Sequence, residues 1–139
     1  MNIVFLFSDE HSASAMGHSG HPLVRTPNLD RFAEQRTVFD NAYCTNPICT
    51  PSRLSMLTGR YCHEIEAWDL GTIADPERHR TWGHHLPDYE TVLCGRTHFN
   101  GPDRRMGFTH RLLDDLPRWI NNSGSPPQRG PEARRGSNS

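Results

Sequence analysis

The chain has 139 residues, enough for one domain and not two. Its fifteen positive residues are all Arg, with no Lys, and sixteen acids leave a net charge of −1. That balance gives no basic field for nucleic acid or an anionic membrane, and the missing lysines exclude an amine nucleophile such as a Schiff base. Leu, Ile, Val and Phe together number only 26, so the core must be small. No apolar run approaches the 18 residues of a membrane-spanning helix.

The opening run Ile3-Val4-Phe5-Leu6-Phe7 is apolar, β-favouring and closed by Ser8-Asp9-Glu10. It predicts a buried strand at the centre of a parallel sheet. It is too short and too acidic at its end for an export signal, so the expectation is a cytoplasmic chain whose four cysteines are free thiols. A Ser-, Gly- and His-rich loop over 11–24 precedes a helix start, with Thr26 as N-cap, Pro27 at the first position and Asp30 in the first turn. Leu29, Phe32 and Ala33 would give that helix its apolar face. Residues 37–43 predict a short strand. A second helix starts at Thr50-Pro51, turns Leu54 and Leu57 inward and stops at Gly59.

Residues 71–80 predict loop, Trp82–Leu86 a short helix ended by Pro87, and Tyr89–Cys94 another strand. Leu112, Leu113 and Leu116 would open a last helical turn. Strands alternating with helices indicate an α/β layered fold. Residues 121–139 hold four Ser, three Gly, three Pro and three Arg and no large apolar residue, the composition of a disordered tail. The sequon Asn121-Asn122-Ser123 is taken as incidental.

The most informative segment is Cys49-Thr50-Pro51-Ser52-Arg53-Leu54-Ser55-Met56-Leu57-Thr58-Gly59-Arg60. Cys49 stands at a helix start, where unpaired N–H groups favour negative charge, and Arg53 lies about one turn on. Such a pair suits a reactive group handling an oxyanion. Taken alone, the same residues also describe a small buried thiol beside a solvated arginine. The full string resembles the signature of the sulfatase family, C-x-P-S-R closed by T-G-R. The resemblance implies that Cys49 is oxidised to formylglycine, whose hydrate attacks the sulfur of a sulfate ester and then expels sulfate. It also implies a maturation enzyme as partner and a sulfate-ester small molecule as substrate.

Further segments extend the resemblance. Asp9 and Glu10 are similar to the adjacent acids that bind a divalent cation in this family, with Glu10 departing from the usual Asp. With the modified Cys49 they would be ligands of Ca²⁺, or of Mg²⁺. Arg25-Thr26-Pro27-Asn28-Leu29-Asp30 looks like the family's R-T-P-N-L-D helix start. Gly95-Arg96-Thr97-His98 resembles G-K-x-H, whose Lys and His contact the sulfate. Arg96 keeps the charge but presents a wide fork. The implied catalytic set is therefore Cys49, Arg53, Arg96 and His98. His63 and the pair Trp68-Asp69 are weaker candidates near a pocket. The cysteine and histidine spacings contain no C-x-x-C knuckle, which argues against zinc.

The implied fold is the N-terminal part of an alkaline-phosphatase-like α/β/α sandwich with a mostly parallel sheet, left incomplete. The resemblance covers residues 1–120, a fraction of the family domain, and the later metal ligands, Lys and His have no counterpart. Asp114-Asp115 does not match the missing acidic motif. The sequence therefore predicts a truncated sulfatase with a half-built metal site and an out-of-frame tail over 121–139. The alternatives are a catalytically inactive remnant and a phosphonate or phosphate monoester hydrolase of the same superfamily.

Overall fold

The computed structural model describes residues 1–113 and 115. They form two compact units, Met1–Tyr43 and a second that begins at Cys44. The expected tail over 121–139 and its sequon, Asp114 and Leu116 lie outside the described residues.

In the first unit, a 3₁₀ turn over Gly17–Ser19 precedes helix α1, Pro27–Gln35. The helix starts where Thr26-Pro27 predicts it, but Thr26 does not cap its own helix. Its Oγ1 accepts the Gly17 N–H at 2.9 Å and donates to Asp30 Oδ1 at 2.7 Å. Asp30 Oδ1 also accepts the His18 N–H at 2.9 Å, so one carboxylate ties the 3₁₀ turn to the first turn of α1. The apolar face of α1 is present in sequence yet exposed, with Leu29 at 47 % and Phe32 at 63 %.

Two strand expectations fail here. Residues 3–7 join no ladder among the described residues and lie open, Leu6 at 88 %. Residues 37–43 likewise remain irregular. The reason is that a buried parallel strand needs neighbours for its N–H and C=O groups, and local sequence does not supply them. The Phe5 and Phe7 rings stack with centroids 6.0 Å apart, as side chains two residues apart can in extended chain.

The second unit holds the core. Helix α2 runs Cys49–Thr58, beginning one residue before Thr50. Pro51 is tolerated because first-turn N–H groups have no intrahelical acceptor. Gly59 ends the helix in the left-handed region, φ 68°, as its position in the sequence predicts. Leu54 and Leu57 are buried and pack with Ile65, Ala67, Ala74, Phe99, Met106 and Phe108.

Strands β1 (Val92–Cys94) and β2 (His110–Leu113) pair in parallel, Val92 against His110 and Leu93 against Arg111, with a bulge before Cys94. The chain is thus α/β with a parallel pair. Leu112 and Leu113 lie in a strand instead of the expected helical turn. A short apolar run is ambiguous between the two, and here β1 provides the ladder. Residues 71–80 are loop, joined to the rest by an Ile73–Asn100 bridge. Within that loop the buried His79 receives the Asp75 N–H on Nδ1 at 3.0 Å and reaches Ile65 O with Nε2 at 2.9 Å. Neutral imidazole protonated on Nε2 satisfies both bonds.

The expected helix at Trp82 is a single 3₁₀ turn, Trp82–His85. Thr81 and His84 bond each other reciprocally, His84 Nδ1 accepting the Thr81 N–H at 3.0 Å. The Trp82 and Phe108 rings meet edge to face at 5.6 Å. That packing leaves no room at Gly83, where a Cβ would stand 2.8 Å from the Phe108 ring and 2.9 Å from Gly107 C. Gly83→Ala is therefore expected to destabilise the chain by about 1–3 kcal/mol in urea unfolding.

Burial and the Arg80 guanidinium hold the His84 pKa below its usual 6.5. As pH falls below that value the unfolded chain takes up the proton first. The stabilisation is thus complete above 6.5 and is lost as pH falls through the lower folded value. Unfolding midpoints at pH 7.5 and 5.5 should show this loss. His84→Asn, whose Oδ1 accepts from Thr81 without titrating, should make the loss smaller.

Candidate active site

The segment before α2 is shaped by Asn46, whose Oδ1 accepts the Ile48 N–H at 2.8 Å. Ile48 then takes the N-cap position with extended backbone, φ −95° and ψ 137°. Its side chain has no acceptor, so it cannot cap the first turn. Cys49 is the first helical residue and half-buried. Beside it Thr50 is buried, and its Oγ1 has no hydrogen-bond partner among the described residues. A buried hydroxyl in that state is costly.

Arg53, one turn on, is only 6 % exposed. Its Nη1 donates to the carbonyl of Arg96 at 2.6 Å, across 43 residues of sequence. This bond carries the stretch after β1 to the start of α2. The Arg96 guanidinium then lies over Cys49, Nη2 4.0 Å from Sγ, at the outer reach of a hydrogen bond to sulfur. The same Nη2 is 3.3 Å from His98 Nε2. Arginine has only donors, so this contact requires an unprotonated Nε2, and the neutral ring carries its proton on Nδ1. Four residues expected from sequence, Cys49, Arg53, Arg96 and His98, are thus brought together within the second unit.

Their surroundings include a link the sequence reading did not single out. Asp115 Oδ1 accepts the Thr97 and His98 N–H groups at 2.6 and 3.0 Å. Asp115 Oδ2 pairs with Arg111 Nη2 at 3.1 Å, both side chains being nearly buried. Bonds from a side chain to a backbone 17 residues earlier leave no periodic trace.

Other expected residues lie elsewhere. Asp9 and Glu10 belong to the first unit, in an exposed turn where Glu10 has φ 54°. Among the described residues no group of three or more His, Cys, Asp or Glu gathers for a cation. A hard cation takes six to eight oxygens, and two adjacent carboxylates do not make that set. The described residues therefore do not fit a complete cation centre. His63 is exposed and stacks on Tyr61 at 5.7 Å. Trp68 and Asp69 form a surface turn in which Thr72 Oγ1 accepts both their N–H groups, at 3.2 and 3.4 Å. Cys44, Cys49, Cys62 and Cys94 are all free.

A family model described as Sulfatase matches residues 1–94 of this chain. The chain belongs to the sulfatase family. It is 34 % identical to an N-acetylglucosamine-6-O-sulfatase of Bacteroides thetaiotaomicron, over 78 % of this chain and 19 % of the relative. It is 45 % identical to an ulvan-active sulfatase of Formosa agariphila, over 78 % and 23 %. With an N-acetylgalactosamine-6-sulfatase of Sus scrofa it shares 44 % identity, over 90 % and 25 %. The sulfatase chain thus spans about a fifth to a quarter of the length of these relatives. Among its described residues no helix is long and apolar enough to cross a membrane.

Arg53 is the piece of this site whose removal is easiest to read. Arg53→Ala leaves the Arg96 carbonyl without that donor and is expected to cost about 1.5–3 kcal/mol in chemical unfolding. A loss below about 0.5 kcal/mol would show that the bond does not hold the two segments together.

Proposed function

We propose that this chain carries the nucleophile-bearing part of a sulfate-ester hydrolase, with Cys49 as the position converted to formylglycine. The observation that carries the reading is the meeting of two segments at the start of α2, where Arg53 holds the Arg96 carbonyl from 43 residues away and the Arg96 guanidinium reaches both Cys49 Sγ and His98 Nε2. Family membership and the Cys49–Arg60 signature support it. Position 49 fits the modification, being half-buried beneath a guanidinium at a helix N-terminus. When present, the aldehyde supplies in its hydrate an oxygen nucleophile for the sulfur of the ester.

The chain's own residues do the rest. Arg96 offers a fixed planar cation where charge spreads over the sulfate oxygens during transfer, a stabilisation that needs no reorganisation. His98 is held against the same guanidinium, with Nε2 3.3 Å from Arg96 Nη2. Arg53 acts chiefly by holding the Arg96 backbone in place, since its Nη1 is committed to that carbonyl. The Thr50 hydroxyl is a further donor at the first turn of α2.

Asp9 and Glu10, adjacent in the first unit, are proposed as two donors for the family's cation, calcium or magnesium. No step above passes through that ion. A sulfate-ester small molecule is the proposed substrate and a formylglycine-forming enzyme the proposed maturation partner.

The test is hydrolysis of an aryl sulfate by the full chain, expressed per mole of chain, with the aldehyde content at position 49 of the parent measured alongside. Cys49→Ala is expected to reduce turnover by more than about 10³-fold. Equal turnover by the variant would overturn the reading. A higher rate on an aryl phosphonate monoester than on the sulfate would replace the substrate class while keeping the nucleophile.

A further inference from the structure

His98 is built on strained backbone. Its φ of 54° lies in the left-handed region, which a residue with a Cβ adopts at a cost in energy. What imposes it here is Asp115. Strands β1 and β2 end their ladder with the Gly95 N–H donated to Leu113 O at 3.2 Å. Two residues beyond, the Asp115 carboxylate takes over as acceptor, Oδ1 receiving both the Thr97 and the His98 N–H. Two successive amides facing one anion form a concave donor site of the kind that binds free anions elsewhere.

The carboxylate is itself fixed. Arg111, on β2, pairs with Oδ2 and donates to Thr97 Oγ1 at 2.8 Å and to Arg104 O at 2.6 Å. Thr97 Oγ1 in turn lies 3.4 Å from Asp115 Oδ2. A buried acid with several donors on its two oxygens has one available position.

We propose that Asp115, locked by Arg111, is a positioning residue of the active site. It fixes the His98 backbone so that the imidazole Nε2 meets the Arg96 guanidinium over Cys49. This rests on the sulfate-ester reading above and adds to it a residue from beyond β2. Asp115 touches neither Cys49 nor Arg96 by any of these bonds and acts through His98. Its contribution is the location of one oxygen, not its negative charge.

That distinction makes the proposal testable with two variants of opposite kind. Asp115→Asn removes the charge and keeps an oxygen at the same reach. Asp115→Glu keeps the charge and moves the oxygens by one methylene. The measurements are the ring-nitrogen resonances of His98 in the ¹⁵N-labelled full chain, and the affinity for inorganic sulfate. The Leu54 and Leu57 methyl resonances serve as a check that the core is intact.

Asp115→Glu is expected to shift the His98 ring resonances and weaken sulfate binding by about tenfold, or 1.4 kcal/mol. Asp115→Asn is expected to lower stability, because its Nδ2 would face the Arg111 donors, while Oδ1 still accepts from the two amides and keeps the resonances near those of the parent chain and the affinity within about threefold. The reverse pattern would mean that Asp115 serves only to neutralise Arg111, and would overturn the proposal. Two unchanged variants, or two equally perturbed ones, would overturn it as well. His98→Ala separates the two levels: if it binds sulfate as the parent chain does, the sulfate-site reading fails whatever the Asp115 variants show.

Discussion

The bond from Arg53 to the Arg96 carbonyl is the constraint on which the second unit's chemistry rests. Helix α2 can form from local sequence, and so can the turn after β1. Neither alone places a guanidinium above a cysteine. A buried arginine must find acceptors, because the cost of leaving its donors unmet exceeds what the net bond contributes. The carbonyl it finds is that of the residue whose side chain covers position 49. Packing supports this from below. Arg53 and Leu54 are neighbours on α2, so the turn that buries Leu54 in the cluster with Phe99 and Met106 also carries Arg53 inward.

Helix ends and the nucleophile's neighbourhood were legible in the sequence. Thr26-Pro27 marks the start of α1 and Gly59 the end of α2, because the fixed φ of a first-position proline and a left-handed φ are demands of single residues. The Cys49–Arg60 string and Arg96-Thr97-His98 pointed to the residues that meet around position 49. What could not be read were the features that need a distant partner. Residues 3–7 have every property of a buried strand except a neighbour to bond. Leu112 and Leu113 became strand because β1 lies alongside. Asp115 was weighed only as a metal ligand, since its bonds to Thr97 and His98 depend on the parallel register of β1 and β2, which no local spacing encodes.

The two units differ in how their order is maintained. The first relies on polar fasteners, with Asp30 binding the 3₁₀ turn and Thr26 while the apolar side chains of α1 stay open to water. The second has a true apolar cluster, small but closed by aromatic edge-to-face contact and by glycines that admit no Cβ. The proposed catalytic residues all sit in the unit with the core. Groups that must hold a geometry of tenths of an ångström need supports that are themselves packed. The proposed cation ligands Asp9 and Glu10 sit instead on an exposed turn.

The connection between α2 and β1 has a consequence of a different sort. Cys49 and Arg96 are joined by 47 residues of chain, and that covalent tether sets the effective concentration of one for the other, in the millimolar range for a flexible link. Arg60, Arg78 and Arg80 lie exposed along it. A single cut there by an arginine-specific protease would remove none of the atoms around Cys49. It would convert the meeting of the two halves from a unimolecular event into an association of separate pieces, governed by dilution. The integrity of the site therefore depends on the stretch from Arg60 to Arg80, which contributes no group to it.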